Sequence, residues 1–295
     1  MLSATNLWMS FAGLLYLVVG VFLLRKEIGA ARGWDKLITL SCLFFAVPLA
    51  MFAPEHFQGP EFVKNMVPSY MPARWFWAYF IGCALLAAAT SLTVRKLVRL
   101  SSILLGTMFT LFVCMLYIPF VVAHPQSRFA WAIALRDLSF AAGAWALAGL
   151  VNRASWPQLS KWMVLFARFV LAIAAIFFAV MHFLHPKFAP GVPLEKVMPS
   201  WVPFPTVWGY LGGAILLAAG IGLALNKQAR KAAASIGALM TVLTLFPYLL
   251  ILVFARGGSE INEALNYVAD TWLYAGAALL LASALPRDSD REEKT

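Results

Sequence analysis

The sequence predicts an all-α, polytopic transmembrane bundle of about nine helices. Of the 295 residues, 62% are hydrophobic and only 12% are charged, and the mean hydropathy is +0.80. Soluble domains carry about 25% charged residues, so this chain has too few to cover a water-facing surface. A soluble enzyme and a disordered chain are therefore excluded. The net charge of +10 does not indicate nucleic-acid binding, because the basic residues lie in short clusters between apolar runs, which is typical of topology signals.

Nine apolar stretches reach or approach the roughly 20 residues that a helix needs to cross the hydrocarbon core. They are residues 5–24, 36–53, 75–94, 100–122, 131–151, 162–184, 205–225, 232–254 and 267–285. The first is too long for a signal-peptide core and lacks a basic leader and a small-residue cleavage site, so we expect it to remain as a helix. Pro48 interrupts the second stretch, and Arg136 with Asp137 interrupts the fifth.

Basic residues distribute unequally between the two sets of alternating loops. The short loops near Arg25, Arg95, Arg153 and Lys227, together with the C-terminal tail, hold 15 of the 23 Lys and Arg residues, against 7 in the other set of loops. The positive-inside rule makes these loops cytoplasmic. Nine spans then place the N-terminus outside and the C-terminus inside a plasma (inner) membrane, with residues 287–295 as a charged cytoplasmic tail.

The chain also repeats itself, which is the strongest sign of its organisation. At an offset of 131 residues, 68–92 matches 199–223, with identities that include Pro68/Pro199, Trp77/Trp208, Tyr79/Tyr210 and Gly82/Gly213. Two extra residues in the second copy align Asp137 with Asp270 and Gly143 with Gly276. The predicted domains are therefore an extra N-terminal helix at 1–30, a four-helix unit at 31–153 and a second at 154–286. An even number of spans per unit makes them parallel repeats.

The three cysteines, Cys42, Cys83 and Cys114, lie inside apolar runs and form no CxxC pair. We expect them to be small apolar packing residues, and no disulfide or thiol redox centre is predicted.

All four histidines lie on the predicted outer side: His56, His124, His182 and His185. His182 and His185 are three residues apart and share a face if their helix continues through both. Such a pair can ligate a metal or donate to a quinone carbonyl. Alternatively, the histidines only end their helices at the headgroup level. No metal site is predicted, because the remaining ligands would have to come from elsewhere.

Asp137 and Asp270 occupy equivalent positions of the repeat. We expect Asp137 about 10 Å below its helix start and Asp270 at a shallower level. An ionised carboxylate in the hydrocarbon region is costly and requires a partner or a cavity. Candidate partners are the outer histidines, two cations and three tyrosines, namely Arg128, Arg256, Tyr79, Tyr210 and Tyr274. The alternative is a carboxylate favoured by a helix N-terminus. Arg168 is interpreted as the one basic residue within a span, able to extend to the cytoplasmic interface.

Aromatic residues gather at the predicted outer boundary. Trp208 and Tyr210 either anchor the protein at the membrane interface or form a stacking surface for a flat ligand. Tyr248 lies next to Pro247, where a helix kink is expected to open space.

These motifs resemble the DoxX-like family of small four-helix membrane proteins. The resemblance rests on the polar helix end at His182–His185, the W-x-Y-x-x-G sequence at 208–213 and Leu-Leu-Ala-Ala-Gly at 216–220. It implies a fused pair of the family's unit, with the second copy closer to the pattern than the first. Some members of the family are linked to thiosulfate or quinol oxidation and others to redox or stress complexes. The resemblance therefore implies a redox-associated membrane role, without thiol relay chemistry because no cysteine pair lies on the outer side.

The leading functional hypothesis is binding of a quinone or small lipophilic ligand near the extracytoplasmic face. Asp137 and Asp270 would handle protons, His182 and His185 would donate to the ligand, and aromatic rings would stack on it. One alternative is a non-catalytic anchor or assembly subunit of a redox complex, and another is a small-solute transporter. The partners expected are the lipid bilayer, a quinone or such subunits. No nucleophile triad, phosphate loop or dinucleotide fingerprint is present, so no catalytic residue is identified.

Overall fold

The computed structural model describes residues 3–189, 191 and 196–287. Its regular elements are helices, joined by turns, and one isolated antiparallel bridge connects Phe188 with Val197. The predicted tail at 287–295 lies outside the described residues except for Arg287. The helices are α1 (Ala4–Ala30), α2 (Trp34–Thr39), α3 (Ser41–Gln58), α4 (Pro60–Met66), α5 (Arg74–Val94), α6 (Val98–Ala123), α7 (Arg128–Val151), α8 (Pro157–Leu184), α9 (Pro205–Ala224), α10 (Ala229–Phe254) and α11 (Gly258–Ala284).

Seven of these helices, α1 and α5 to α10, are long and apolar enough to cross a bilayer. They indicate a multi-pass integral membrane protein, as predicted. The predicted second and ninth spans fall in α3 and α11, which do not meet the same criteria. Helix α3 has only 18 residues and ends with Glu55, His56 and Gln58, and the first half of α11 is rich in Asn and Glu.

Helices α3 and α11 occupy the centre of the bundle. Helix α11 packs against α3, α7 and α10, and most of its residues are buried. Glycines bring these helices close together: a Cβ on Gly276 would lie 2.6 Å from the backbone nitrogen of Phe45, and one on Gly143 would lie 2.5 Å from Cα of Ala277. Because protein rather than lipid surrounds them, these two helices can carry polar residues that lipid-facing helices cannot.

The two ends of the bundle differ in chemistry. One end, here called the basic end, contains four short connections between helices. They are residues 31–33, 95–97, 152–156 and 225–228. Arg95 pairs with Glu27 at 2.6 Å, and Arg230 pairs with Asp35 at 2.7 Å. Arg153 and Arg230 also donate to carbonyl oxygens of the last turn of α11, where cations are favoured by the helix macrodipole. The opposite end, here called the Pro-rich end, carries the long connections 59–73 and 185–204.

Several backbone features recur at the offset of 131 residues. Among the described residues, the non-glycine positions with positive φ form three pairs at this offset: Ala73/Phe204, Arg95/Asn226 and Leu97/Gln228. Single wide turns of π-helix interrupt α6 at Val113–Tyr117 and α10 at Thr244–Tyr248. A side-chain contact recurs as well: Tyr79 stacks on Phe57 at 6.3 Å, and Tyr210, which lies 131 residues after Tyr79, stacks on Phe183 at the same distance.

Candidate functional site

A buried ion triad joins α7 to α11. Arg136 Nε lies 2.8 Å from Asp137 Oδ1, and Arg136 Nη1 lies 2.7 Å from Asp270 Oδ2. Both aspartates are buried, and the Tyr117 side chain of α6 lies beside Asp137. One guanidinium therefore holds the two carboxylates that the sequence singles out.

The expected partners of the aspartates were wrong. The cation is Arg136, rather than Arg128, Arg256, a histidine or one of the tyrosines. Arg168 is consequently not the one basic residue inside a long helix, because Arg136 lies nine positions into α7. The relative depth was also wrong, since α11 begins at Gly258 and places Asp270 about 18 Å from its start.

A cavity of about 740 Å³ extends from this triad between α3, α5, α6 and α7. Most of its lining is apolar, from side chains such as Phe80, Met108 and Phe112, and the triad, Glu55 and His56 supply polar groups. Helix α4, which lies in a connection predicted as a loop, contributes Phe62 and Met66 at the Pro-rich end.

The cavity opens sideways between α5 and α6. Leu100, Leu104 and Leu111 line it and are also at least half-exposed on the bundle surface, from the first turn of α6 to its middle. Helices α5 and α6 pack less extensively on each other than α9 and α10 do. Helices α5 and α6 are both apolar enough to span a bilayer, so an opening between them would lie at the level of the hydrocarbon core when they do.

A polar face of α11 connects the triad with the Pro-rich end. Asn262, Asn266 and Asp270 are spaced four residues apart and therefore lie on one side of the helix. Asn266 Nδ2 donates to Glu55 Oε1 at 2.8 Å, and Asn262 Nδ2 donates to Asn6 Oδ1 at 3.2 Å. Sequence reasoning missed Glu55 and both asparagines, although the four-residue spacing that leads to Asp270 was visible in the sequence.

His56 presents an acceptor nitrogen. Its Nδ1 lies 2.9 Å from the carbonyl oxygen of Ala78. A carbonyl oxygen can only accept a hydrogen bond, so Nδ1 carries the proton and Nε2 of the neutral ring is the acceptor. The His56 side chain lines the cavity, as does Trp77 on α5.

The other predicted site residues lie away from this cavity. His182 is fully buried and accepts a hydrogen bond from the Gly191 backbone N–H at 3.2 Å. Helix α8 ends at Leu184, so His185 does not continue the helical face of His182 and instead packs on Phe188.

The predicted aromatic site residues are likewise held elsewhere. Trp208 packs on Phe246 with ring centres 5.4 Å apart, Tyr210 stacks on Phe183, and Tyr248 is fully buried. Of the predicted site residues, the structure thus brings His56, Asp137 and Asp270 to one cavity.

Comparison of the chain with protein-family models, with curated proteins and with solved structures found no match. The site is therefore interpreted from its own geometry. Within the described ranges, no group of three or more His, Cys, Asp and Glu side chains is placed to hold a metal ion. The geometry offers a largely apolar cavity, bordered by two helices that are apolar enough to span a bilayer, with buried charged groups at one part of its wall.

Proposed function

We propose that this membrane protein binds a small lipophilic ligand, with a quinone as the leading candidate, in the cavity between α5 and α6. The observation that carries the proposal is a cavity that contacts the Arg136 triad and reaches the bundle surface along α6, a helix apolar enough to span a bilayer. Small-molecule sites are commonly apolar pockets of about 300–1,000 Å³ with a few polar groups that orient the ligand. The volume of the cavity lies in this range, and its lining is mostly apolar with a few polar groups.

The fold around the site is proposed to consist of nine spans: α1 followed by two parallel four-helix units of DoxX-like type. The support is the recurrence of positive-φ residues and of wide turns at an offset of 131 residues. The Pro-rich end is proposed to face the extracytoplasmic side of a plasma (inner) membrane and the basic end the cytoplasm, because Lys and Arg accumulate in cytoplasmic loops. The head group of the ligand would then bind in the outer half of the first unit.

In this proposal the roles of the site residues change from those expected. Asp137 and Asp270 hold or exchange protons near the ligand, and His56 replaces His182 and His185 as the histidine that contacts it. Trp77 lies in the cavity wall at the position equivalent to Trp208. The redox association follows the DoxX-like resemblance and is part of the proposal.

A cavity-filling variant tests the proposal. Leu111 lines the cavity, and Val242 is its equivalent in α10 at the offset of 131, with the same 50% exposure. We expect Leu111→Trp to weaken binding of decyl-ubiquinone to the protein in nanodiscs by about tenfold or more, which corresponds to about 1.4 kcal/mol. Val242→Trp is the matched control and is expected to bind as the parent does.

Equal binding by both variants would contradict the site assignment. The alternative of an anchor or assembly subunit would be favoured by two results together. The parent protein would bind no lipophilic probe, and other subunits would co-purify with it in stoichiometric amounts.

A further inference from the structure

We infer that the cavity selects a ligand whose head group donates hydrogen bonds, a hydroxyl or protonated amine on an apolar chain, over one whose head group only accepts them. For a quinone this means that the reduced quinol binds more tightly than the oxidised form. The inference rests on the proposed function and specifies the chemistry of the ligand that the same cavity takes.

The cavity presents unoccupied acceptor atoms. Asp270 accepts from Arg136 at Oδ2, and Glu55 accepts from Asn262 and Asn266 at Oε1. Their second carboxylate oxygens, Asp270 Oδ1 and Glu55 Oε2, receive no hydrogen bond from any residue that the structure describes. His56 Nε2 is a third acceptor, because Nδ1 donates to Ala78. All three side chains line the cavity.

The charges of the lining favour the same class of head group. Three carboxylates line the cavity, those of Glu55, Asp137 and Asp270, against the single guanidinium of Arg136. Arg136 keeps further N–H groups, but they lie between two aspartates. A carbonyl oxygen would bring partial negative charge to carboxylates in a medium of low dielectric constant, whereas an O–H or N–H group brings partial positive charge.

Neighbouring ionisable groups do not reverse this balance. Lys64, on α4, is paired with Glu61 at 2.7 Å and lies over the ring of Trp75. Tyr117 of α6 lies beside Asp137. The acceptor-rich part of the wall thus remains without a compensating cation from these elements.

The shape of the cavity accounts for the apolar chain. Its lining extends along the α6 side from Leu97 to Tyr117, which is about 30 Å at the rise of an α-helix. A head group near Tyr117 and His56 therefore leaves room for an alkyl or prenyl chain directed toward the basic end. The sideways opening lets such a chain enter from the lipid.

The test compares probes that differ in the head group. Decyl-ubiquinol, decyl-ubiquinone and dodecylamine are titrated under argon against the full chain in nanodiscs, with binding followed by tryptophan fluorescence. We expect the quinol to bind about tenfold more tightly than the quinone. Glu55→Gln replaces an acceptor oxygen with an amide that donates, and is expected to reduce or reverse this preference. Glu260→Gln is the control, since Glu260 is exposed on α11 and does not line the cavity.

The outcomes separate the inference from the proposed function. Binding of no probe would overturn both. Three results would overturn the donor inference alone. The first two are equal binding of the two quinone forms and tighter binding of the oxidised quinone. The third is a preference for the quinol that both Glu55→Gln and Asp270→Asn leave unchanged. Binding of dodecylamine without either quinone form would support a donor head group and replace the quinol by an amine as the ligand. Thermal unfolding of each variant shows that it is folded.

Discussion

At the scale of single residues, Arg136 has the largest predicted effect on stability. It is the cation that neutralises both Asp137 and Asp270 in a buried site. Removing one partner of a buried ion pair leaves an uncompensated charge and costs about 3–5 kcal/mol. We therefore expect Arg136→Met to lower the unfolding temperature in detergent strongly, measured by tryptophan fluorescence on heating.

The two aspartates provide the matched control. Combining Arg136→Met with Asp137→Asn and Asp270→Asn removes the charges together, and this variant is expected to recover much of the lost stability. A triple variant no more stable than Arg136→Met would contradict the view that uncompensated charge causes the loss.

The sequence identified only part of this site. Asp137 and Asp270 could be singled out, because the repeat aligns them and carboxylates are rare in apolar helices. Their shared cation could not be deduced, because adjacent residues such as Arg136 and Asp137 point in different directions on a helix. The bond from Arg136 to Asp270 also joins positions 134 residues apart, and no local pattern encodes it.

At the scale of helices, glycine sets the distance between α3 and α11. A Cβ at Gly276 would meet backbone atoms of Phe44 and Phe45 at 2.6–2.8 Å, and these cannot move as a side chain can. We expect Gly276→Ala to reduce the free energy of unfolding by about 1–3 kcal/mol, the usual cost of overpacking a core. Denaturation of purified protein by increasing amounts of SDS in mixed micelles measures it.

Gly29 is the control for this substitution. No atom lies within 4 Å of a Cβ built there, and Gly29 is also helical, so Gly29→Ala is expected to cause no loss of stability. A similar loss in both variants would show that packing against α3 is not the cause.

Hydropathy located the lipid-facing helices better than the central ones. The spans expected at 75–94 and 205–225 nearly coincide with α5 and α9. Helix α11 starts nine residues before the expected boundary at 267, because its first half is polar and faces protein. Hydropathy also gives no signal for the short helices α2 and α4, which are not membrane spans.

At the scale of the whole molecule, three pairs of positive-φ residues and two wide turns recur at an offset of 131 residues, but the corresponding regions differ at the site. Tyr117 and Tyr248 end equivalent wide turns, yet Tyr117 lines the cavity whereas Tyr248 is fully buried. The position of Arg136 in the first half is taken by Ala269 in the second. The self-similarity of the sequence predicts two copies of one unit, but it does not indicate which copy holds the cavity, since that depends on the residues that differ between them.

The proposed orientation predicts which connections reach each side of the membrane. In a background without Cys42, Cys83 and Cys114, we expect Ser69→Cys to react with a membrane-impermeant maleimide added to intact cells or spheroplasts. Arg32→Cys is expected to react only after permeabilisation. These two residues flank α3, so labelling of both from the same side would contradict a spanning α3.

Ser259→Cys and Pro286→Cys test α11 in the same way, because they lie at its two ends. We expect reaction from outside at residue 259 only. Labelling of both from one side would reduce the number of spans.

The polar faces of α3 and α11 also bear on how the protein is made. The insertion machinery releases strongly apolar helices into lipid readily, but carboxylate and amide side chains disfavour that release. Helix α11 is the last helix of the described chain, and its Asp270 finds a counterion only on α7. We expect α11 to enter the membrane against helices that are already in place, so that biogenesis of the second half depends on the first.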